Sequence, residues 1–424
     1  MRVEKLTTPE RKRELDKISS IAFTYPMRDP DPKEQTATNA EEQQRNIEEF
    51  AMVDETNDKL MGGMILLDYQ TRIGDKWLPL TGIGGVATLP EYRRAGVIRG
   101  IFKHILPRMY ENGIAISGLY PFSHAFYRKF GYEVTSGIST ASVGLDQLRA
   151  FPMPDEVRQI DNQRDELLAR GVYEKFAEKR DISMRREISA YWKWLLSADI
   201  YKERAYRYLL MRRVGDAMEP CAYISFTPDN QPDVGNIVAA REAAYVDMDG
   251  LKRLLGFAAT FYPQYKRLSL TLPGDVDLGA ICTNSYDVKV KTSYDYMLRA
   301  VNARVMLESQ PLSPALKALA GIKPLSFSLA LTDEMIPQNT GRYDVTITGE
   351  GIKCAQSEYG DADMKMDITT FSQLTTGSIS LSEAYARDDF EMGAPCPPAQ
   401  MLFLRRPQYI VDHYCLRGDR LTIN

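Results

Sequence analysis

The sequence predicts an α/β fold that continues into an α+β module, and three observations carry that expectation. An order of strand, strand, strand, helix, strand over residues 50–120 returns over residues 205–272, the mark of an internal duplication in pattern though hardly in residue identity. Alternating strands at 327–331 and 342–347 then mix with short helical stretches. The length of 424 residues also suggests about three domains at roughly 150 residues each.

The elements follow in order. Thr7-Thr8-Pro9-Glu10 opens a helix, with a capping oxygen, an early proline, a glutamate three residues after Thr7 and a stripe of Leu15, Ile18 and Ile21. It should stop before Tyr25-Pro26. Asp29-Pro30-Asp31-Pro32 is turn chemistry, and residues 41–50 suit a second helix. Apolar strands are expected at 50–53, 62–67 and 77–88, then a helix over 96–109 from its stripe of Ile98, Ile101, Phe102, Ile105 and Leu106. The two prolines of Phe151-Pro152-Met153-Pro154 place a boundary near residue 150.

The second unit, 151–298, begins polar and helix-rich. It then reads as strands at 205–214, 221–226 and 237–245, a helix at 249–262 and a strand at 267–272. Its cluster of Arg180, Arg185, Arg186, Lys193, Lys202, Arg204, Arg207, Arg212 and Arg213 is interleaved with acids and reads as a solvated helical surface. The third unit, 299–424, has a helix at 315–320, the two alternating strands, and a strand at 363–368 feeding two short helices.

Composition narrows the function. Lys+Arg 53 against Asp+Glu 57 leaves a net charge of -4, so no sequence-wide positive field exists to hold a nucleic acid. Five cysteines, odd in number and absent before Cys221, are no disulfide framework, and the charged N-terminus lacks a signal core. No run approaches the apolar length of a membrane span, and the expectation is a cytoplasmic protein without membrane partners. With His104, His124 and His413 as the only histidines, no metal site is expected.

The chemistry concentrates after the third strand, in Val86-Ala87-Thr88-Leu89-Pro90-Glu91-Tyr92-Arg93-Arg94-Ala95-Gly96-Val97-Ile98-Arg99-Gly100. A strand ends at a proline and a basic, glycine-containing turn opens a helix whose first amides lack intrahelical partners, a cup for a pyrophosphate. Gly96 would let phosphates approach the backbone. The strand end Val86, Ala87 and Thr88 would offer backbone groups to an extended amide chain such as a pantetheine arm. Some thirty residues on comes Tyr120-Pro121-Phe122-Ser123-His124-Ala125-Phe126-Tyr127-Arg128-Lys129-Phe130-Gly131-Tyr132-Glu133. A phenol there can protonate a departing thiolate, and Tyr127 is the candidate; Phe126 and Phe130 read as packing. His124 reads either as a base or as a structural histidine.

Arg93-Arg94-Ala95-Gly96-Val97 resembles the Arg/Gln-x-x-Gly-x-Gly/Ala loop of the GNAT superfamily of N-acetyltransferases, with the second glycine replaced by Ile98 or displaced to Gly100. Phe126-Tyr127-Arg128-Lys129-Phe130-Gly131-Tyr132 resembles the Phe-Tyr-x-x-x-Gly-Phe/Tyr that closes that fold. Over the whole chain the layout resembles the enhanced intracellular survival (Eis) family: a GNAT domain (1–150), a degenerate second GNAT-like copy (151–298) and a sterol-carrier-protein-like domain (299–424).

The resemblance implies acetyl-CoA as co-substrate, with the pyrophosphate on Arg94, Ala95, Gly96, Val97, Ile98 and Arg99 and the thioester end near Phe122 and Ser123. It implies direct attack by a primary amine of an aminoglycoside, polyamine or lysine type, and a hexamer. It also implies that the C-terminal carboxylate, here that of Asn424, serves as general base and that the second copy is scaffold. The corresponding turn there, Ala244-Tyr245-Val246-Asp247-Met248-Asp249-Gly250, carries two aspartates that would repel a pyrophosphate. The alternative function is lipid or sterol binding by the C-terminal domain.

Overall fold

The computed structural model describes residues 1–27, 47–186, 192, 195 and 204–410. The chain opens with β1 (Arg2–Leu6) and α1 (Pro9–Ala22), whose N-cap Thr8 accepts from Arg11 N at 3.4 Å. An antiparallel meander follows, β2 (Ile47–Asp54), β3 (Lys59–Ile73) and β4 (Lys76–Thr88). The helix expected over 41–50 is corrected where it is described: residues 47–50 begin β2 and pair with β3, because an extended strand buries Phe50 and Met52 on one face and Ala51 and Val53 on the other, which a helix there would not. Residues 41–46 lie outside the described residues. Then come α2 (Val97–Glu111), β5 (Ile116–Leu119), parallel to β4, α3 (His124–Arg128) and β6 (Glu133–Val134).

Alternation along β2 explains the layering. Phe50 and Met52 face α2, whose Ile98, Ile101, Phe102, Ile105 and Leu106 are buried as the stripe predicts; Ala51 and Val53 face Leu15 and Ile18 of α1. Each fully buried apolar side chain of this size contributes about 1.5–3 kcal/mol, so a helix on each face suffices to hold the sheet.

Among the described residues a second compact unit spans 136–294 with 407–410. It contains β7 (Ile138–Gly144), β8 (Glu156–Gln159), α4 (Gln163–Ala177), β9 (Tyr206–Val214), β10 (Ala217–Gln231), β11 (Gly235–Tyr245), α5 (Met248–Ala259), β12 (Arg267–Leu272), α6 (Leu278–Ile281) and β13 (Lys289–Ser293). The boundary expected near residue 150 falls inside this unit. Its sheet runs β13-β7-β12-β11-β10-β9-β8, with β11 and β12 parallel.

The chain then returns to the first unit with β14 (Met297–Ala300), α7 (Ala303–Glu308), α8 (Pro314–Ile322), β15 (Leu325–Thr332), β16 (Gly341–Thr348), β17 (Gly351–Ser357), β18 (Met364–Asp367), α9 (Ile368–Thr375), α10 (Leu381–Ala384), β19 (Glu391–Met392) and α11 (Pro397–Leu402). β14 completes the first sheet, order β1-β2-β3-β4-β5-β14-β6, and the rest forms a five-stranded sheet, β17-β16-β15-β18-β19.

The two seven-stranded sheets share one order. In each, a three-strand meander leads through a helix to a parallel strand, and the strand beyond that one is supplied from elsewhere in the chain: β14 in the first, β7 in the second. The duplication read from the pattern is therefore present in the topology.

The basic cluster at 180–213 is corrected where it is described; Lys193 and Lys202 lie outside the described residues. Arg186 is bidentate to Glu242 at 2.7 Å with both side chains buried, and Arg207 and Arg212 lie on β9. Strand alternation and buried acids, invisible to a charge count, take these arginines out of a solvated helix.

Candidate active site

β4 and β5 run side by side only from Leu80↔Ile116 to Ile83↔Leu119. Beyond that pair the next residues of β4 keep β3 alone as a ladder partner, with Gly62↔Thr88 and Gly63↔Ala87. The cause lies one residue past the last pair. The β3–β4 register shifts between Gly63 and Ile65, so Gly85 and Val86 together oppose Met64, and Gly85 takes φ 60. A glycine in the left-handed region at the first position of a two-for-one bulge bends and twists its strand, here away from β5. The backbone of Val86, Ala87 and Thr88 is thereby left beside an open edge, suited to an extended amide chain. Sequence reasoning named these three residues but missed the bulge, whose signal was the Gly84-Gly85 doublet inside a strand.

The turn after β4 is built for a bound anion. A short 3-10 turn, Pro90–Tyr92, leads to Arg94 at φ 69 and Gly96 at φ 80, the N-cap of α2. A glycine cap has no side chain to satisfy the first-turn amides, and this helix has no acidic residue in its first turn. Val97, Ile98 and Arg99 supply those amides. A Cβ on Gly96 would meet nothing within 4 Å, so the requirement for glycine there is the backbone angle. Gly100 is different: a Cβ there would meet only Met52 Cε, the tip of a flexible side chain that can move aside, and its backbone angle does not call for glycine.

Arg93, Arg94, Ala95, Gly96 and Arg99 are exposed, while Val97 and Ile98 turn into the core. No ion pair among the described residues engages Arg93, Arg94 or Arg99. Arg99 is steadied instead by the face of Phe130, 5.8 Å from guanidinium to ring centroid. Three cations and a row of unfilled amides thus share one helix end.

The second unit shows the opposite arrangement at its matching turn. α5 is capped by Asp247, whose carboxylate accepts from Gly250 N at 2.9 Å. Arg212 reaches Asp247 at 2.8 Å and Asp249 at 3.2 Å, and Arg253 holds Asp249 at 2.9 Å. Burial raises the Asp249 carboxyl, but the two arginines outweigh it and keep it below its usual range. The protein's own carboxylates occupy the place a phosphate would need.

At the C-terminal end of β5, Ser123 caps α3 by accepting from Phe126 N at 3.4 Å, and Phe122, 73% exposed, lies 5.0 Å from Phe126 and 5.5 Å from Tyr127 between ring centroids. Tyr127 is buried, edge-on to Phe102 of α2, in the same apolar cluster that Val86 packs against. Its hydroxyl has no hydrogen-bond partner among the described residues. Burial first, and neighbouring Tyr132 second, push its ionisation well above the ordinary phenol range, so it carries its proton at neutral pH. Tyr132 is similarly raised by burial, yet its hydroxyl is already engaged by Ser117 Oγ at 2.7 Å. Of the two phenols, Tyr127 is the one with a proton to give. His124 is the first residue of α3 and is half-buried. Asn424 lies outside the described residues.

Residues 5–135 match the acetyltransferase (GNAT) domain family, and residues 312–410 match the sterol carrier protein domain family. No curated protein gives a significant match. Among solved structures, similar folds are a probable N-acyltransferase from Enterococcus faecalis V583 (TM-score 0.78, 21% identity, 96% of this chain and 97% of that one) and a GCN5-related N-acetyltransferase from Anabaena variabilis ATCC 29413 (0.80, 20%, 97% and 100%). Eis1 from Mycobacterium abscessus is a third (0.77, 14%, 98% and 100%).

Residues 5–135 are a GNAT acetyltransferase domain, and through that domain the chain is an acyltransferase; GNAT acetyltransferases use acetyl-CoA as co-substrate. Its architecture, tandem sheets followed by a sterol-carrier domain, is Eis-like. Among the described residues no helix is long and apolar enough to cross a membrane.

Proposed function

We propose that this chain transfers an acetyl group from acetyl-CoA to a primary amine by direct attack in a ternary complex, the amine belonging to a polyamine, an aminoglycoside or a lysine side chain. The observation that carries the reading is the opening of β4 away from β5 beside a glycine-capped helix end. The amides of Val97, Ile98 and Arg99, with the Arg94 and Arg99 guanidinium groups, bind the pyrophosphate. Val86, Ala87 and Thr88 lie along the pantetheine, whose amides join the free strand edge. Phe122 and Ser123 border the thioester end.

The C-terminal carboxylate of Asn424 takes the proton of the arriving ammonium, and the neutral amine attacks the thioester carbonyl. The tetrahedral adduct collapses with cleavage of the C–S bond, and the leaving thiolate takes the Tyr127 proton. A buried phenol held in its neutral form suits that step. The proton the nitrogen sheds on becoming an amide returns through water to the Tyr127 phenolate. Acetyl transfer by this route uses no enzyme nucleophile.

Lipid carriage is less well supported: the cleft where the C-terminal domain meets the α3 turn is polar. It holds about 410 Å³ and is lined by Arg128, Lys129, Asp333, Glu334, Asp367 and Thr369, among others, a lining that an apolar ligand would leave unsatisfied.

The test is thiol release from acetyl-CoA against a panel of a polyamine, an aminoglycoside and a lysine peptide, with mass detection of the acetylated amine. Amine-dependent release with at least one member is expected. The absence of any amine-dependent release would overturn the reading.

A further inference from the structure

α3 carries Tyr127 on only five residues, too few to hold a helix by its own hydrogen bonds. Among the described residues the Tyr127 hydroxyl has no hydrogen-bond partner to fix it either, so the position of this phenol depends on how the α3 backbone is anchored. One anchor is Arg128, the next residue. Its Nε donates to Glu133 Oε2 at 2.9 Å and its Nη2 to Oε1 at 2.8 Å, closing the turn between α3 and β6 with a fork of hydrogen bonds. Glu133 is itself buried, with 1% of its side chain exposed, and its Oε1 also accepts from Val134 N at 2.8 Å. Burial alone would raise this carboxyl, but Arg128, the Val134 amide and Arg387 together hold it ionised below the usual range.

The third contact comes from the C-terminal domain. Arg387 Nη1 donates to Glu133 Oε2 at 3.1 Å, while its Nη2 reaches Thr369 Oγ1 at 2.9 Å and its Nε reaches Thr370 Oγ1 at 3.0 Å. Both threonines stand in the first turn of α9, whose N-cap is Asp367. A continuous chain of charge-assisted bonds therefore runs from the first turn of α9 through Arg387, Glu133 and Arg128 to the residue beside Tyr127.

We propose that Glu133 and Arg387 are positioning residues for acetyl transfer, through which the C-terminal domain holds Tyr127 in place. This rests on Tyr127 being the general acid. It gives the sterol-carrier-type domain a part in catalysis that needs no lipid. A displacement of about 1 Å in a reacting group can lower turnover by roughly 10²-fold, so releasing one end of this relay is expected to lower kcat at least about tenfold.

The test compares Glu133→Gln, Arg387→Met, Arg387→Lys, Tyr127→Phe and the double variant Tyr127→Phe/Glu133→Gln in the full chain, measuring kcat, KM for the amine, acetyl-CoA affinity by calorimetry and melting temperature. Glu133→Gln and Arg387→Met should lower kcat with acetyl-CoA affinity within about twofold of the parent, and Arg387→Lys should recover part of the loss. If Glu133 acts through Tyr127, the double variant turns over within about twofold of Tyr127→Phe alone. Independent, multiplying losses in the double variant would overturn the proposal, as would unchanged kcat in Glu133→Gln with only a lower melting temperature. If Tyr127→Phe itself kept full turnover, the general-acid reading would fall first and the relay with it, a result distinct from failure of the relay alone.

Discussion

Arg299 and Asp333 form an ion pair with no solvent exposure on either side chain, Arg299 Nη2 lying 2.6 Å from both carboxylate oxygens. Arg299 sits on β14 in the acetyltransferase sheet and also donates from Nη1 to the carbonyl of Phe130, next to the α3 turn. Asp333 follows β15 and further accepts from Met335 N, Ile336 N and Asn339 Nδ2. The strand that completes the catalytic sheet and the first hairpin of the C-terminal domain thus meet on one carboxylate.

Removing the cation should be costly. Arg299→Met leaves Asp333 buried with amide donors but no counter-charge, a loss of about 3–5 kcal/mol. Urea denaturation followed by amide hydrogen exchange of residues 1–135 and 295–406 should show the midpoint of the first unit shifted well below the parent. An unshifted midpoint would mean that the backbone amides alone compensate the charge.

The phosphate end of the site is tested by Arg94→Glu, which sets a like charge beside the pyrophosphate at a helix end that favours anions. Acetyl-CoA affinity by calorimetry should fall about tenfold, with melting temperature unchanged because Arg94 is exposed and makes no ion pair among the described residues. Equal affinity would move the pyrophosphate away from this turn.

Much of this site was readable from residue order, and what was not has a physical reason. The stripe of α2 and the turn around Gly96 are local, with period and cap lying within a few residues of one another. The same holds for Asp247 and Asp249, read as hostile to phosphate and observed as the cap of their own helix end and a first-turn carboxylate paired with Arg212 and Arg253. The pairing of β14 with β5 joins Met297 to Leu119, and no local pattern reports a partner so far away. β1, at Arg2–Leu6, went unread because Leu6 is its one buried residue and its neighbour β2 lies beyond α1. The relay from Arg387 to Glu133 depends on that same long-range assembly.

Stability near pH 6 is expected to depend on Asp367. Burial, followed by the neighbouring Asp389 carboxyl, raises it to about 6; Asp389, though also raised by burial, is held low by Asp367, the Thr370 hydroxyl and Arg387. The pair therefore keeps one proton on the Asp367 side up to that pH. An Asp in the unfolded chain titrates near ~4, so the folded state binds the extra proton between about pH 4 and 6. The stabilisation from Asp367 is fully present below that window and is lost as pH rises through 6. Asp389→Asn removes the like charge and offers an amide donor to the Asp367 carboxylate. Melting temperatures at about pH 4.5 and about pH 7 should show the variant gaining on the parent at the higher value. The same difference at both pH values would exclude this pair as the source.

Tyr127→Phe separates chemistry from packing more cleanly than any other substitution in the site. The ring is buried against Phe102, Phe122, Phe126 and Tyr132, and phenylalanine keeps all of those contacts. The hydroxyl has no hydrogen-bond partner among the described residues, so its removal leaves no donor or acceptor stranded, and melting temperature should stay level or rise slightly. The cofactor's pyrophosphate lies at the other end of the proposed site, so acetyl-CoA affinity should also be preserved. Turnover should fall by roughly 10²-fold, the scale of a positioned general acid. The loss should shrink with an acetyl thioester whose thiol has a lower pKa, because such a thiolate departs without a proton. Stopped-flow thiol release from acetyl-CoA and from an acetyl thiophenol ester measures both. An equal loss with the two donors would assign the Tyr127 hydroxyl to a step other than thiolate departure.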